Sequence, residues 1–270
     1  MRRTTMRICV AGALGKMGRR ILEVAGWEED IQVCGAFDLP EFKGRVISYG
    51  GEKGSPKEIV LGDNAKDEIV KADVLIDFTQ PASSVRHTQI ACSLKKGVVI
   101  GTTGLSSEQE QSLRDFSKEI PILYAPNMSV GVNLLFRLVK EVAECLGMDY
   151  NAEIVEIHHN QKKDSPSGTA LRLAKEVAEG LNLDSKKHVL YGREGVIGPR
   201  KKEEIGVLAV RGGDVVGEHT VYFIGHGERL QLTHIAHNRD NFAKGAIRAG
   251  RFIHGREPGM YDMMDALGLR

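Results

Sequence analysis

Through the first half of the chain, short apolar runs alternate with stretches of helical periodicity. Residues 7–11 read as a buried strand, and residues 16–25 as a helix with Met17, Ile21, Leu22 and Ala25 on one side. Strands over 31–37 and 74–78 follow, the second leading into a helix over 82–95. Short strands over 98–101 and 122–125 flank a helix running to about Lys118, which Ser106 and Gln109 open as a capping box. Strands alternating with helices imply right-handed crossovers and a parallel sheet. Between 44 and 63 the chain is Gly-rich with little periodicity, which predicts a mobile loop with at most a short edge strand.

After Asn127 the pattern changes. A helix over 131–146, a strand over 152–158 and a helix over 168–181 precede three long strands over 205–211, 218–225 and 228–237. Gly-Gly-Asp and Gly-His-Gly join these strands and read as hairpin turns. A last helix over 240–254 presents Ala243, Gly245, Ala246 and Ala249, small residues suited to packing back on the first domain. The expected fold is α/β: a Rossmann-type doubly wound parallel sheet formed by 1–127 and 240–270. A second α+β domain over 128–239 carries an open mixed, largely antiparallel sheet.

Composition narrows the partners. Thirty-seven basic against 36 acidic residues leave a net charge of +1, which offers no field for nucleic acid or an anionic membrane. Arg2 and Arg3 resemble the start of a leader, but the following apolar run is short and broken by Gly12, so no membrane span is expected. Cys9, Cys34, Cys92 and Cys145 are widely spaced in apolar segments, as in the core of a reduced, cytoplasmic protein. No convincing metal-ligand set is present; His234 and His237, three positions apart, point to opposite faces of a regular strand.

Candidate chemistry starts where the first strand meets the first helix. Gly12 permits a sharp turn, Gly15 lets a pyrophosphate approach backbone amides, and Gly18 lets the helix lie against its strand. The spacing is G-x-x-G-x-x-G, which a ligand-free strand–helix turn could share. Asp38, however, ends the next strand 20 residues beyond Gly18, where an acid accepts from an adenosine ribose. With Leu39 and Pro40 following, Asp38 favours NADH; Lys16, Lys43 and Arg45 keep NADPH open. Gly101-Thr-Thr-Gly104 and Ala125-Pro-Asn-Met-Ser129 also fall at strand ends, where open α/β sheets bind ligands. Taken singly, either could be a turn plus a cap.

The stretch from His158 to Ala170 reads H-H-N-Q-K-K-D-S-P-S-G-T-A. It combines imidazoles that titrate near neutrality, two ammonium groups and a helix start that favours an anion. The plainer alternative is a solvated loop with a good N-cap. A histidine with a pKa near the working pH suits proton delivery after hydride transfer. Lys162, four residues beyond His158, could pair a carboxylate, while the amides at 168–169 could take another. Lys163 reads as a solvated charge, and Arg239 as a carboxylate ligand, an inter-domain contact or part of an ion pair with Asp240 or Asp214.

Together these motifs resemble those of the dihydrodipicolinate reductase family over almost the whole chain. The likeness rests on G-A-L-G-K-M-G at Gly12, D-F-T at Asp77, G-T-T-G at Gly101 and A-P-N-M-S-V-G-V-N at Ala125. It continues in E-I-H-H…K…D-S-P-S-G-T-A from Glu156, R-G-G-D-V-V-G-E-H-T-V from Arg211 and H-I-A-H-N-R from His234. The resemblance implies hydride transfer from NADH or NADPH to a cyclic imine dicarboxylate with loss of water. It implies His158 and Lys162 as catalytic, with His159, Gly168 and Thr169 contacting substrate. Gly12, Ala13, Leu14, Gly15, Lys16, Met17 and Asp38 would hold the cofactor, with Gly101, Thr102, Thr103, Ala125, Pro126, Asn127 and Met128. It also implies a homotetramer joined through the open sheet of the second domain. Lys16 stands where the family often has Arg and Leu39 where some members carry Arg, which weakens any NADPH preference. Two other readings compete: a different two-domain NAD(P)-dependent dehydrogenase, and a non-catalytic NADH-sensing protein.

Overall fold

The computed structural model describes residues 5–269, so Arg2 and Arg3 lie outside the described residues. In chain order the elements begin β1 (Met6–Ala11), α1 (Lys16–Gly26), β2 (Ile31–Phe37), β3 (Val46–Tyr49) and β4 (Lys57–Val60). Next come α2 (Ala65–Ile69), β5 (Val74–Asp77), α3 (Pro81–Ser93), β6 (Gly97–Ile100), α4 (Ser107–Phe116) and β7 (Pro121–Tyr124). The middle of the chain forms α5 (Val130–Leu146), β8 (Asn151–His158), α6 (Gly168–Gly180), α7 (Ser185–His188) and β9 (Val189–Tyr191). There follow β10 (Ile205–Arg211), β11 (Gly217–Ile224), β12 (Arg229–Ala236), α8 (Asp240–Ile253), β13 (Gly259–Tyr261) and α9 (Met263–Leu267). These elements fall into two units, Met1–Val130 with Arg239–Arg270 and Gly131–Asn238.

Unit 1 is built on a six-stranded sheet in the order β13-β7-β6-β5-β1-β2, with every pair parallel. Strand alternation explains why it is covered on both faces. Ile8, Val10 and Val99 join Ile21 and Leu22 of α1 and Ala246 and Ile247 of α8 in one core. Cys9, Ala11 and Val98, one step out of phase, join Ala91 of α3 and Leu113 of α4 in the other. Ser106 caps α4, accepting from the Gln109 amide while the Gln109 side chain accepts from the Ser106 amide. β13 and α9 had no sequence signal long enough to read.

The expected loop over 44–63 contains two strands instead. β3 and β4 pair antiparallel, with Val46 opposite Val60 and Ile47 opposite Ile59. Ile47 and Ile59 pack toward the core while Val46 and Val60 stay exposed. Both strands are only four residues long and carry apolar side chains on both faces, which hid the period. Glu23 of α1 anchors the hairpin by accepting from the amides of Gly50 (2.7 Å) and Glu52 (2.8 Å).

Unit 2 holds the expected mixed sheet, in the order β12-β11-β8-β10-β9. β12 and β8 each pair antiparallel with β11, whereas β10 pairs parallel with both β8 and β9. Only the second of the two expected hairpins forms. β11 pairs with β8 rather than β10, so the Gly-Gly-Asp turn carries the chain across β8. Gly213 adopts φ +52 there, a reversal whose glycines specify a turn but not the strand that receives the chain. Ala152, Ile154, Glu156 and His158 alternate on the buried face of β8, against which α6 packs. Cys145, expected in a core, is exposed; Cys9 is buried.

Candidate active site

At the carboxyl ends of the unit 1 strands, the glycine turn fits a pyrophosphate. Gly12 has φ +66, and a Cβ on it would lie 2.9 Å from Thr79 Cγ2. A Cβ on Gly18 would overlap the Gly12 carbonyl, so this glycine sets the closeness of α1 to the turn. α1 starts at Gly15 with no side-chain cap and no acid in its first turn, which leaves a positive helix end for an anion. Ala13 is buried and Lys16 exposed, with half-buried Leu14 and Met17 packed against the core. Asp38 reaches back to this turn, its Oδ2 accepting from the Leu14 amide at 2.8 Å and its Oδ1 from the Leu39 amide at 2.9 Å.

The next strand ends carry the other expected residues. Gly101 is required by close approach, because a Cβ would run into the Phe78 ring. Thr102 is buried and turns its hydroxyl inward, 2.7 Å from Ser84 Oγ, while Thr103 is exposed. Ala125 and Met128 are buried, Pro126 is exposed, and Asn127 accepts from the Ser129 amide at 2.9 Å. Met128 therefore has only its backbone to offer a ligand.

Beneath Thr102 lies a polar cluster around Asp77, which the D-F-T motif marks without a role, while Ser84 and His87 carry no motif in the sequence. Asp77, fully buried at the end of β5, accepts from the Thr79 amide (2.9 Å), Thr79 Oγ1 (2.6 Å) and Ser84 Oγ (2.8 Å). His87 Nδ1 lies 2.7 Å from its other oxygen. Burial pushes the Asp77 carboxyl up, but the His87 and Thr79 hydrogen bonds outweigh it and hold it below its ordinary value. The signal was present: Ser84, His87, Thr88 and Ala91 share one face of α3, so polar groups occupy a buried stripe.

In unit 2, His158 ends β8 and is nearly buried. Its Nδ1 lies 2.5 Å from Glu156 Oε2, and its ring meets His219 edge-on at 5.0 Å between centroids. Burial lowers the His158 pKa, and the Glu156 hydrogen bond opposes that shift. The fully buried Glu156 also accepts from Arg211 Nη1 (2.8 Å), Arg211 Nη2 (2.8 Å) and the Ser167 amide (2.9 Å). Desolvation pushes its carboxyl up, yet Arg211, His158 and Ser167 together keep it below the ordinary glutamate value. His219, 3.0 Å from Ser167 Oγ, is driven by burial and by the His158 charge down to about 3 and stays neutral.

The loop after β8 gathers the remaining candidates. Lys162 pairs with both oxygens of Asp164 at 2.9 Å, and Arg211 Nη2 donates to the Asp164 carbonyl at 2.9 Å. Ser167 caps α6 by accepting from the Ala170 amide at 3.2 Å. A Cβ on Gly168 would meet nothing within 4 Å, so space lies open at this helix start. Thr169 and His159 are half-buried, the His159 amide donating to the Val215 carbonyl at 2.8 Å; Lys163 is exposed. Glu156, Arg211 and His219 fall within the quoted motifs, but the sequence assigned them no role. Glu156 did leave a signal, a carboxylate on the face of β8 that alternation assigns to the core.

Comparisons with known proteins cover almost the whole chain. Residues 6–128 match the family model "Dihydrodipicolinate reductase, N-terminus", and residues 131–267 match "Dihydrodipicolinate reductase, C-terminus". A 4-hydroxy-tetrahydrodipicolinate reductase from Geobacter metallireducens is 47% identical over 270 residues, covering 98% of this chain and 100% of the relative. The enzyme of the same name from Aquifex aeolicus is 46% identical over 272 residues, with coverage of 98% and 100%. Among solved structures, a dipicolinate-bound dihydrodipicolinate reductase from Paenisporosarcina sp. TG-14 superposes with a TM-score of 0.74 at 25% identity, covering 97% of this chain and 99% of the other.

Proposed function

The chain belongs to the dihydrodipicolinate reductase family, and on that premise we infer how its residues divide the reaction. It is an NAD(P)H-dependent oxidoreductase that reduces 4-hydroxy-tetrahydrodipicolinate to tetrahydrodipicolinate with loss of water, in lysine and diaminopimelate biosynthesis. The bound nicotinamide supplies the hydride. Unit 1 is the dinucleotide-binding domain, with the amides of Gly12 to Met17 on the pyrophosphate and Asp38 on the adenosine ribose. Residues 101–103 and 125–128 line the nicotinamide end. Asp38 keeps acceptor capacity beyond its two amide bonds and places a negative charge where a 2′-phosphate would sit. Lys43 is engaged by Asp63 at 3.0 Å. Asp38 thus favours NADH, while exposed Lys16 and Arg45 leave NADPH usable. A paired titration showing tighter NADPH binding would contradict this.

Unit 2 takes the dicarboxylate. The start of α6, at Gly168 and Thr169, receives one carboxylate; Lys162 leaves Asp164 for the other and withdraws charge from the ring. His159 contacts the substrate from the same loop, and His158 delivers the proton that completes the reduction. The observation that carries this reading is the convergence of His158, Lys162 and the Ser167-capped helix start on one loop tied down by Arg211. Consumption of NADH with substrate generated in situ tests it. The wild type turns over, and a His158→Gln, Lys162→Ala double variant loses turnover by on the order of 10²-fold or more while still binding NADH. NADH binding without turnover in the wild type would favour the sensor, and turnover intact in the variant would remove both residues from the chemistry.

The outer face of the unit 2 sheet supports assembly. Register places Leu208 and Val210 of β10, Ile224 of β11 and Ile235 of β12 on the side away from Ile154 and His158, and all four are exposed. This face joins four copies into a homotetramer. Cytoplasmic residence accords with four unpaired cysteines, and no helix among the described residues is long and apolar enough to cross a membrane.

A further inference from the structure

An ionised carboxylate only accepts hydrogen bonds, and Glu156 receives four: two from Arg211, one from the Ser167 amide and one from His158. The His158 contact at 2.5 Å therefore requires the hydrogen to sit on Nδ1. On the other side of the ring, a Cβ on Gly217 would stand 3.0 Å from Nε2 and 3.4 Å from Cδ2. Close approach, not a left-handed backbone, explains this glycine: any side chain there would crowd Nε2. We propose that Glu156 is a positioning residue that fixes His158 with Nδ1–H toward itself, so that Nε2, left clear by Gly217, carries the proton exchanged with substrate.

This inference rests on the reading of His158 as proton donor. In the step itself the Nε2–H bond of the imidazolium breaks and the substrate gains that proton. The ring is left neutral, its remaining hydrogen on Nδ1 and still bonded to Glu156. The charged and titratable groups facing the ring are Glu156 on β8, Arg211 on β10, His219 on β11 and Lys162 in the loop. Glu156 is the only anion of the four, so it alone favours the imidazolium. The same carboxylate reaches further through its partners. It holds the amide of Ser167, the cap of α6, and Arg211 links it to the carbonyl of Asp164, the partner of Lys162. Proton donor, helix start and lysine loop are thus indexed to one buried group.

Isotope-labelled histidine in the intact enzyme reports the neutral tautomer directly, with the His158 signal assigned by its loss in His158→Gln. The hydrogen is expected on Nδ1; a hydrogen on Nε2 would overturn the proposal. Glu156→Gln, whose amide presents a donor to Nδ1, should lower kcat by on the order of 10²-fold with unchanged NADH affinity. It should also move the alkaline fall of the kcat profile to lower pH, because the imidazolium loses its anion. Glu156→Asp, which keeps the charge, should leave that fall in place. A Glu156→Gln enzyme with an unmoved pH limb would mark a merely structural role. If that variant does not fold, Gly217→Ala decides: it leaves the ion cluster whole and should lower kcat about tenfold or more by covering Nε2, and a wild-type kcat would overturn the proposal. His158→Gln separates the two levels. Full turnover there refutes the donor assignment, whereas loss of turnover with the hydrogen on Nε2 refutes only the role of Glu156.

Discussion

At the scale of single residues, charge buried without water must be paired, and Asp77 shows how many partners that takes. Burial raises its carboxyl and the His87 and Thr79 hydrogen bonds lower it further, for a net depressed pKa. A depressed carboxyl stabilises the fold above its unfolded value of about 3.9. That contribution fades as pH falls through the folded value. Asp77→Ala, which orphans its donors, should cost at least about 3 kcal/mol near neutral pH. The gap between wild type and variant in denaturant unfolding should shrink in acid; a gap independent of pH would contradict this. Legibility at this scale was uneven. Gly12, Gly15, Gly18 and Asp38 could be placed at the β1–α1 turn because fixed spacings specify that turn. Glu156 and His87 act through partners distant in sequence: Arg211 lies 55 positions from Glu156, and Asp77 lies 10 from His87.

At the scale of elements, packing depends on a few places where only glycine fits. A Cβ on Gly245 of α8 would overlap the carbonyl of Met128, so this helix lies against the backbone that follows β7. Gly245→Ala should destabilise the protein by about 1–3 kcal/mol or more, read as a lower urea midpoint. An unchanged midpoint would show that α8 can shift without cost. Most helices and long strands followed from periodicity, and the Ser106–Gln109 capping box from its two residues. The β3–β4 hairpin and β13 did not, because strands of three or four residues carry too few positions to establish a period. The Gly-Gly-Asp turn misled for another reason. A turn encodes a change of direction, while the pairing of β11 with β8 is decided by which strand offers a matching buried face.

At the scale of the whole molecule, the outer sheet face and the two ligand sites carry the account. Charges placed on that face, as in a Leu208→Glu, Ile235→Glu variant, should convert the proposed tetramer to smaller species in light scattering. Persistence of the wild-type mass would move the interface elsewhere. The chain passes between its units at 130–131 and 238–239, and the proposed reaction draws residues from both. The most direct measurement is a crystal structure with NADH and pyridine-2,6-dicarboxylate bound together. The account predicts the dinucleotide on the Gly12 turn, one carboxylate on the Gly168–Thr169 amides, the other on Lys162, and His158 Nε2 facing the ligand ring. A dicarboxylate bound away from His158 and Lys162 in every subunit would contradict it.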